Sequence, residues 1–193
     1  REDPRDVLLT PHKISAIQEL PKNAVIGTGS KRRIYQLKNI RKDFEVVGIR
    51  GNIDTRIRKM KEQGLDGIIL AAAGLKRIGV YESEDYTCLP LDPCQFVSAP
   101  AQGILAVEIR EDNETVKALM ESVSNPVTKA QMTAERQFLI SLNGSCHIPI
   151  GAYCDVEGEK LTLYGLFGNE DGTILYKGQT EGAMGEEAKM GDR

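Results

Sequence analysis

Several protein classes are excluded by what this 193-residue chain lacks. No apolar run approaches the roughly 20 residues needed to span a bilayer, so no membrane segment is expected. The opening residues Arg1-Glu2-Asp3-Pro4 carry no signal-peptide pattern, which leaves secretion without support and a cytoplasmic location as the expectation. An excess of one charge is also missing: the net charge is −3, which gives no global nucleic-acid signature and makes any basic site a local one. The four cysteines, Cys88, Cys94, Cys146 and Cys154, form no C-x-x-C pair, and only His12 and His147 stand ready to join them, so no metal site is expected. Reduced thiols are the default for a chain with an ordinary core, and Cys88, Cys94 and Cys154 read as partly buried packing residues. Internal repeats and low-complexity tracts are absent.

What is present is local. Two small-residue loops stand beside clustered arginines, Gly27-Thr28-Gly29-Ser30-Lys31-Arg32-Arg33 and Gly48-Ile49-Arg50-Gly51-Asn52-Ile53-Asp54-Thr55-Arg56. Each follows a strand-like run and precedes a helix-like stretch, so helix N-termini and planar guanidinium forks should together face an anion, a carboxylate or a phosphate. The first loop mimics a dinucleotide fingerprint, but Arg32 stands where the third glycine is needed, and no Gly-Lys-Ser/Thr ending marks a P-loop. Arg58, Lys59 and Lys61 read as a solvated helix face. A third segment, Asn143-Gly144-Ser145-Cys146-His147-Ile148-Pro149, sets one thiol in a tight polar loop and suggests a covalent anchor.

The first ninety or so residues alternate strand-like and helix-like pieces, which predicts an α/β unit containing parallel strands. Strands are expected at 24–26, 44–49 and 67–70, with helices at 30–39 and 52–63, Ser30 capping the first and Gly64 stopping the second. The polar, proline-bearing stretch 81–98 is the best linker candidate. Residues 103–109 read as a strand whose partners lie outside the chain. Helices are expected over 113–123 and 126–142, then strands at 148–156, 160–167 and 173–179, joined by glycine-bearing hairpin turns into a three-stranded antiparallel sheet.

Taken in order, these segments resemble the hydroxymethylbilane synthase (porphobilinogen deaminase) family. The resemblance rests on Arg1 to Asp6, Gly27 to Arg33, Arg50 to Arg56, Leu70 to Gly79, Ala99-Pro100-Ala101-Gln102-Gly103, Ala134-Glu135-Arg136 and Gly144 to Gly151. The chain departs from the usual pattern at Gly29, Lys31, Ala101 and Ser145, none of which removes an arginine or the cysteine.

The resemblance implies an enzyme that links four porphobilinogen units head to tail with loss of ammonia. Its dipyrromethane cofactor would be joined by a thioether to Cys146, with Thr28, Ser30, Arg32, Arg33, Arg50, Asn52 and Arg56 as cofactor-binding residues, and Arg77 and Gln102 toward porphobilinogen and the growing pyrrole chain. It implies three parts: a periplasmic-binding-protein-like α/β domain over 1–95, a segment at 96–118 returning to an N-terminal domain not present in this sequence, and a cofactor-carrying α+β domain over 119–193. The family's catalytic aspartate would lie outside these residues, so the chain alone is expected to be inactive and to self-associate, whereas a full-length family member would be monomeric. No nucleic acid or membrane is implied. A non-catalytic anion-binding or regulatory α/β module is the alternative.

Overall fold

The computed structural model describes residues 1–143 and 148–193. A five-stranded mixed sheet with strand order β3-β2-β4-β1-β5 forms the first unit, from β1 (Asp6–Thr10), β2 (Val25–Gly27), β3 (Glu45–Val47), β4 (Gly67–Ala71) and β5 (Thr87–Pro90). Strands β2, β3 and β4 run parallel, while β1 runs antiparallel to both β4 and β5 with Asp6 opposite Ala71. Both faces of the sheet are covered. Alternate residues divide between two cores: Leu8, Ile26 and Ile69 pack with Leu37 of α1 (Lys31–Ile40) on one side. Val7, Leu9, Ile68 and Leu70 pack with Met60 of α2 (Ile53–Glu62) and Leu75 of α3 (Ala72–Arg77) on the other. This period-two division is what a strand buried on both faces requires.

The second unit is the expected antiparallel sheet, β6 (Ile150–Glu157), β7 (Lys160–Gly168) and β8 (Leu175–Ala183) in sequence order. Its core joins Ala152, Cys154, Leu161 and Leu163 to Ala130 and Ala134 of α5 (Pro126–Ser141) and Met190 of α6 (Glu187–Asp192). Asn125 caps α5, its Oδ1 accepting from Thr128 N at 2.9 Å, and Asn113 caps α4 (Glu114–Val123) in the same way. The α/β unit followed by a small α+β unit is therefore as the sequence predicts, and no helix is long and apolar enough to cross a membrane among the described residues.

Two readings need correction, and one element is an addition. The stretch 81–98 is not a linker: β5 pairs with β1 at the sheet edge, and Leu91, Phe96 and Val97 are buried beyond it. Strand β1 was not predicted at all. Residues 103–109 form no strand among the described residues, because an extended segment becomes a strand only when another lies beside it; Leu105 and Val107 are exposed instead. Helix α4 likewise buries none of its residues.

The units are tied together by one buried carboxylate. Glu135 on α5 takes both terminal nitrogens of Arg1, at 2.5 and 3.1 Å, and accepts from Ala101 N and Cys154 N at 2.6 and 2.8 Å. Burial pushes its carboxyl upward while Arg1 pulls it down. Ala101 lies in the left-handed region at φ +63°, which explains why glycine suits this position, and Gly103 at φ +80° could carry no side chain because a Cβ would approach Glu2 O to 2.6 Å. Removing the carboxylate leaves the two terminal nitrogens of a buried guanidinium, whose Nε keeps Gln102 O, and two amides without acceptors. Glu135→Ala is expected to cost about 3–5 kcal/mol of stability in urea unfolding, the scale of a broken buried pair; a loss within about 0.5 kcal/mol of zero would refute this role.

Candidate carboxylate-binding site

The carboxyl ends of three parallel strands define one edge of the first sheet. From that edge rise the β2–α1 loop with Thr28 and Ser30, the β3–α2 loop with Arg50 to Asn52, and the β4–α3 junction. Because β1 runs the other way, its first residue, Asp6, sits at the same edge. Such an edge is where open α/β sheets commonly take ligands.

Helix α1 brings Arg32 and Arg33 to this point, and both are buried. Arg32 Nη1 donates to Asp6 Oδ2 at 2.6 Å and to Val97 O at 2.6 Å. Arg33 donates to Asp6 Oδ1 through Nη2 at 2.6 Å and Nε at 3.1 Å, and its Nη1 donates to Ile69 O at 3.0 Å. Gln102 Nε2 donates to Pro4 O at 2.7 Å and to Asp6 Oδ1 at 3.1 Å. Burial pushes the Asp6 carboxyl upward, but Arg32 and Arg33 outweigh it and hold the group below the usual carboxylate range; burial likewise lowers Arg32. Behind them Gln36 exchanges two hydrogen bonds with Val97, at 2.8 and 3.1 Å, fixing the carbonyl that Arg32 uses.

The other predicted residues fall into place around this pair. Thr28 is buried, and its Oγ1 accepts from Ser30 N at 3.3 Å; Ser30 is the N-cap of α1 but makes no side-chain capping bond. Asn52 caps α2 through Oδ1, which accepts from Thr55 N at 2.9 Å. Gly51, at φ +128°, is required there, since a Cβ would come within 2.6 Å of Thr55 Cγ2. Arg56 is half-buried, with Nε donating to Gly51 O at 2.7 Å; burial first, and the charge of Arg33 second, lower its pKa. Arg50 is exposed, and its guanidinium has no partner among the described residues. Arg58, by contrast, pairs with Glu62 at 2.7 Å on an exposed face, as expected for a solvated position.

Arg77 is not part of this cluster. It is exposed at the end of α3 and lines a groove of about 870 Å³ with Arg1, Lys76, Lys129, Ile104 and Val123. Cys146 lies outside the described residues. The remaining thiols differ: Cys154 is buried, Cys88 is intermediate and Cys94 is exposed rather than packed. Burial, reinforced by the Glu135 charge, pushes the Cys154 thiol up to about 12. Iodoacetamide at pH 8, followed by peptide mass mapping, is expected to alkylate Cys94 well before Cys154; equal rates would contradict the burial of Cys154.

Sequence reasoning missed Asp6 and Glu135 as the two carboxylates that organise these contacts. A signal for Asp6 existed, a lone acidic residue opening the apolar run Val7-Leu8-Leu9. At the edge, one carboxylate faces two directly bonded guanidiniums, with Arg56 near enough to feel Arg33. Arg32 Nε and Nη2 have no partner among the described residues. This donor set fits a ligand carrying several carboxylates.

Comparison with known proteins gives the site a context. Residues 1–118 match the family model described as porphobilinogen deaminase, dipyromethane cofactor binding domain, and residues 129–193 match the porphobilinogen deaminase C-terminal domain. The porphobilinogen deaminase of Clostridium novyi is 45% identical over 99% of this chain and 64% of its own length. That of Clostridioides difficile is 42% identical over 99% of this chain and 62% of its own. The chain thus spans about three fifths of the length of these curated relatives. Among solved structures, a periplasmic binding protein of Salmonella typhimurium overlaps at TM-score 0.43 and 17% identity, over 67% of this chain and 58% of that one.

Proposed function

Because the chain belongs to the porphobilinogen deaminase family, we propose that the protein containing it is a cytosolic transferase, a hydroxymethylbilane synthase that condenses four porphobilinogen molecules with loss of ammonia in tetrapyrrole synthesis. The observation that carries this reading is the charge mismatch at the sheet edge, two guanidiniums against the single carboxylate of Asp6. A dipyrromethane, when bound, supplies the pyrrole carbon on which the product is extended. The chain's own residues hold its acetate and propionate groups. Arg32, Arg33, Arg50 and Arg56 supply the forks, Thr28, Ser30 and Asn52 the neighbouring hydrogen bonds, and Cys146 the thioether.

Arg77 and Gln102 are assigned to the incoming substrate and growing chain. Arg77 lines the groove beside residues 103–105; Arg1 and Lys76 there are already paired, with Glu135 and with Glu2 and Asp3, so Arg77 and Lys129 are the groove cations without an ion-pair partner among the described residues and suit a carboxylate of the monomer. Removing ammonia also requires a carboxylate that can stabilise developing positive charge and handle protons. Asp6 cannot serve: it already accepts from four donors and is fully buried. Asp66 is also engaged, bonded to His12 Nε2 and Val25 N at 2.8 Å each. The family resemblance, not these two engaged groups, assigns that carboxylate to a part of the protein outside these residues.

The test is ammonia release on addition of porphobilinogen. Full-length protein is expected to turn over, and the isolated 193-residue chain is not. Absence of release from the full-length protein would refute the assignment, while genuine turnover by the isolated chain would place the carboxylate within it, with Asp54 the first to substitute.

A further inference from the structure

Asp6 is the hub of the carboxylate-binding edge, and no ligand contact is available to it. Its Oδ1 accepts from Arg33 Nη2 and Nε and from Gln102 Nε2, its Oδ2 accepts from Arg32 Nη1, and its side chain has no exposure. Its backbone is equally fixed, opposite Ala71 in β4 and with its carbonyl accepting from Leu91 N at 2.9 Å. Four donors from α1 and the 99–103 turn thus converge on one rigid point of the sheet.

We propose that Asp6 is a positioning residue for ligand binding: it pins both guanidiniums against the sheet edge and leaves one positive charge for a ligand carboxylate to neutralise. The proposal rests on the carboxylate-binding reading above and deepens it. Two adjacent guanidiniums without a shared counter-ion repel and sample many rotamers, whereas a fork held at one edge presents its other edge ready-made and loses little entropy on binding. Arg32 illustrates this, with Nη1 committed to Asp6 and Val97 while Nε and Nη2 have no partner among the described residues. Aspartate rather than glutamate is specified, because one more methylene would shift the carboxylate by about 1.5 Å, enough to misplace a binding constellation.

Two explanations of Asp6 make opposite forecasts. If it mattered only as a negative charge near the ligand, Asp6→Asn would tighten anion binding by removing repulsion. If it positions the arginines, Asp6→Asn weakens binding, and Asp6→Glu, which keeps the charge, fails to restore it.

The experiment uses full-length protein with either substitution, checked for folding by thermal unfolding. It measures the fraction carrying dipyrromethane by intact mass, then KM and kcat with porphobilinogen. Expected is a loss of about tenfold or more in cofactor occupancy, or a KM raised at least about tenfold with kcat within about threefold, in both variants. Wild-type occupancy and KM in Asp6→Asn, tighter binding, or rescue by Asp6→Glu would each overturn the proposal. Where Asp6→Asn fails to fold, Asp6→Glu decides, since it retains the counter-ion. Wild-type protein with neither dipyrromethane nor ammonia release would overturn the functional reading and this proposal with it; a loaded wild type beside variants that are equally loaded and keep the wild-type KM would overturn this proposal alone.

Discussion

Full-length protein carrying Cys146→Ala is expected to leave purification without bound dipyrromethane and to release no ammonia from porphobilinogen. In the sequence Cys146 stands in a small polar stretch, between Ser145 and His147 and close to Gly144, and it is the cysteine within the segment that matches the family. The other three thiols are poorer candidates. Cys154 is sealed in the core of the second unit under α5, Cys88 is partly buried and donates to Val80 O, and Cys94, although exposed in the turn after β5, stands outside the small-residue segment that matches the family. Cys88→Ala, Cys94→Ala and Cys154→Ala should therefore keep the cofactor. Dipyrromethane retained in the Cys146 variant would remove this assignment.

The second large effect concerns the arginines, and the structure separates two consequences that the sequence alone merges. Arg33→Leu should impair cofactor assembly and also destabilise the fold, because Asp6 loses two donors and Ile69 O loses its own; a broken buried pair costs about 3–5 kcal/mol. Arg50→Leu should lower cofactor binding by about tenfold or more, the scale of one charge-assisted hydrogen bond at about 1.5–3 kcal/mol, with stability unchanged. Arg50 is exposed and its guanidinium has no partner among the described residues, so nothing in the fold depends on it. Arg58→Leu should be nearly silent on both counts, since its ion pair with Glu62 is solvent-exposed. Thermal unfolding and cofactor occupancy, measured on the same three proteins, check the pattern. Equal losses of occupancy at all three positions would mean that α2 turns another face to the ligand.

How far the sequence could be read depended on where the information was local. The loops at 27–33 and 48–56 and the stop at Gly64, which takes φ +62°, are set by residues within one turn of chain and lie where patterning placed them, whereas Ser30 stands at its expected cap position without a side-chain bond and the capping asparagine at 52 was not anticipated. The antiparallel hairpins of β6, β7 and β8 were equally legible, from alternation and glycine-bearing turns. What escaped was long-range. Nothing in Val7-Leu8-Leu9 reveals that its strand runs against its neighbours, yet that reversal is what carries Asp6 to the ligand edge. The proline-bearing stretch 81–98 looked like a linker because β5 is short and lies at the sheet edge, where irregular flanks are tolerated. The arginines were legible as an anion site, but their division between protein and ligand was not, since the residue that divides them stands 26 and 27 positions away.

The central claim is that the arginine-rich edge serves a covalently held, carboxylate-bearing dipyrromethane. Intact mass of the full-length wild-type protein, with Ehrlich reagent as the colour check, tests it most directly. The expected result is a polypeptide heavier by one dipyrromethane, turning pink with the reagent. A mass equal to that of the bare polypeptide and no colour, from protein that is folded and was made in cells supplying porphobilinogen, would contradict it.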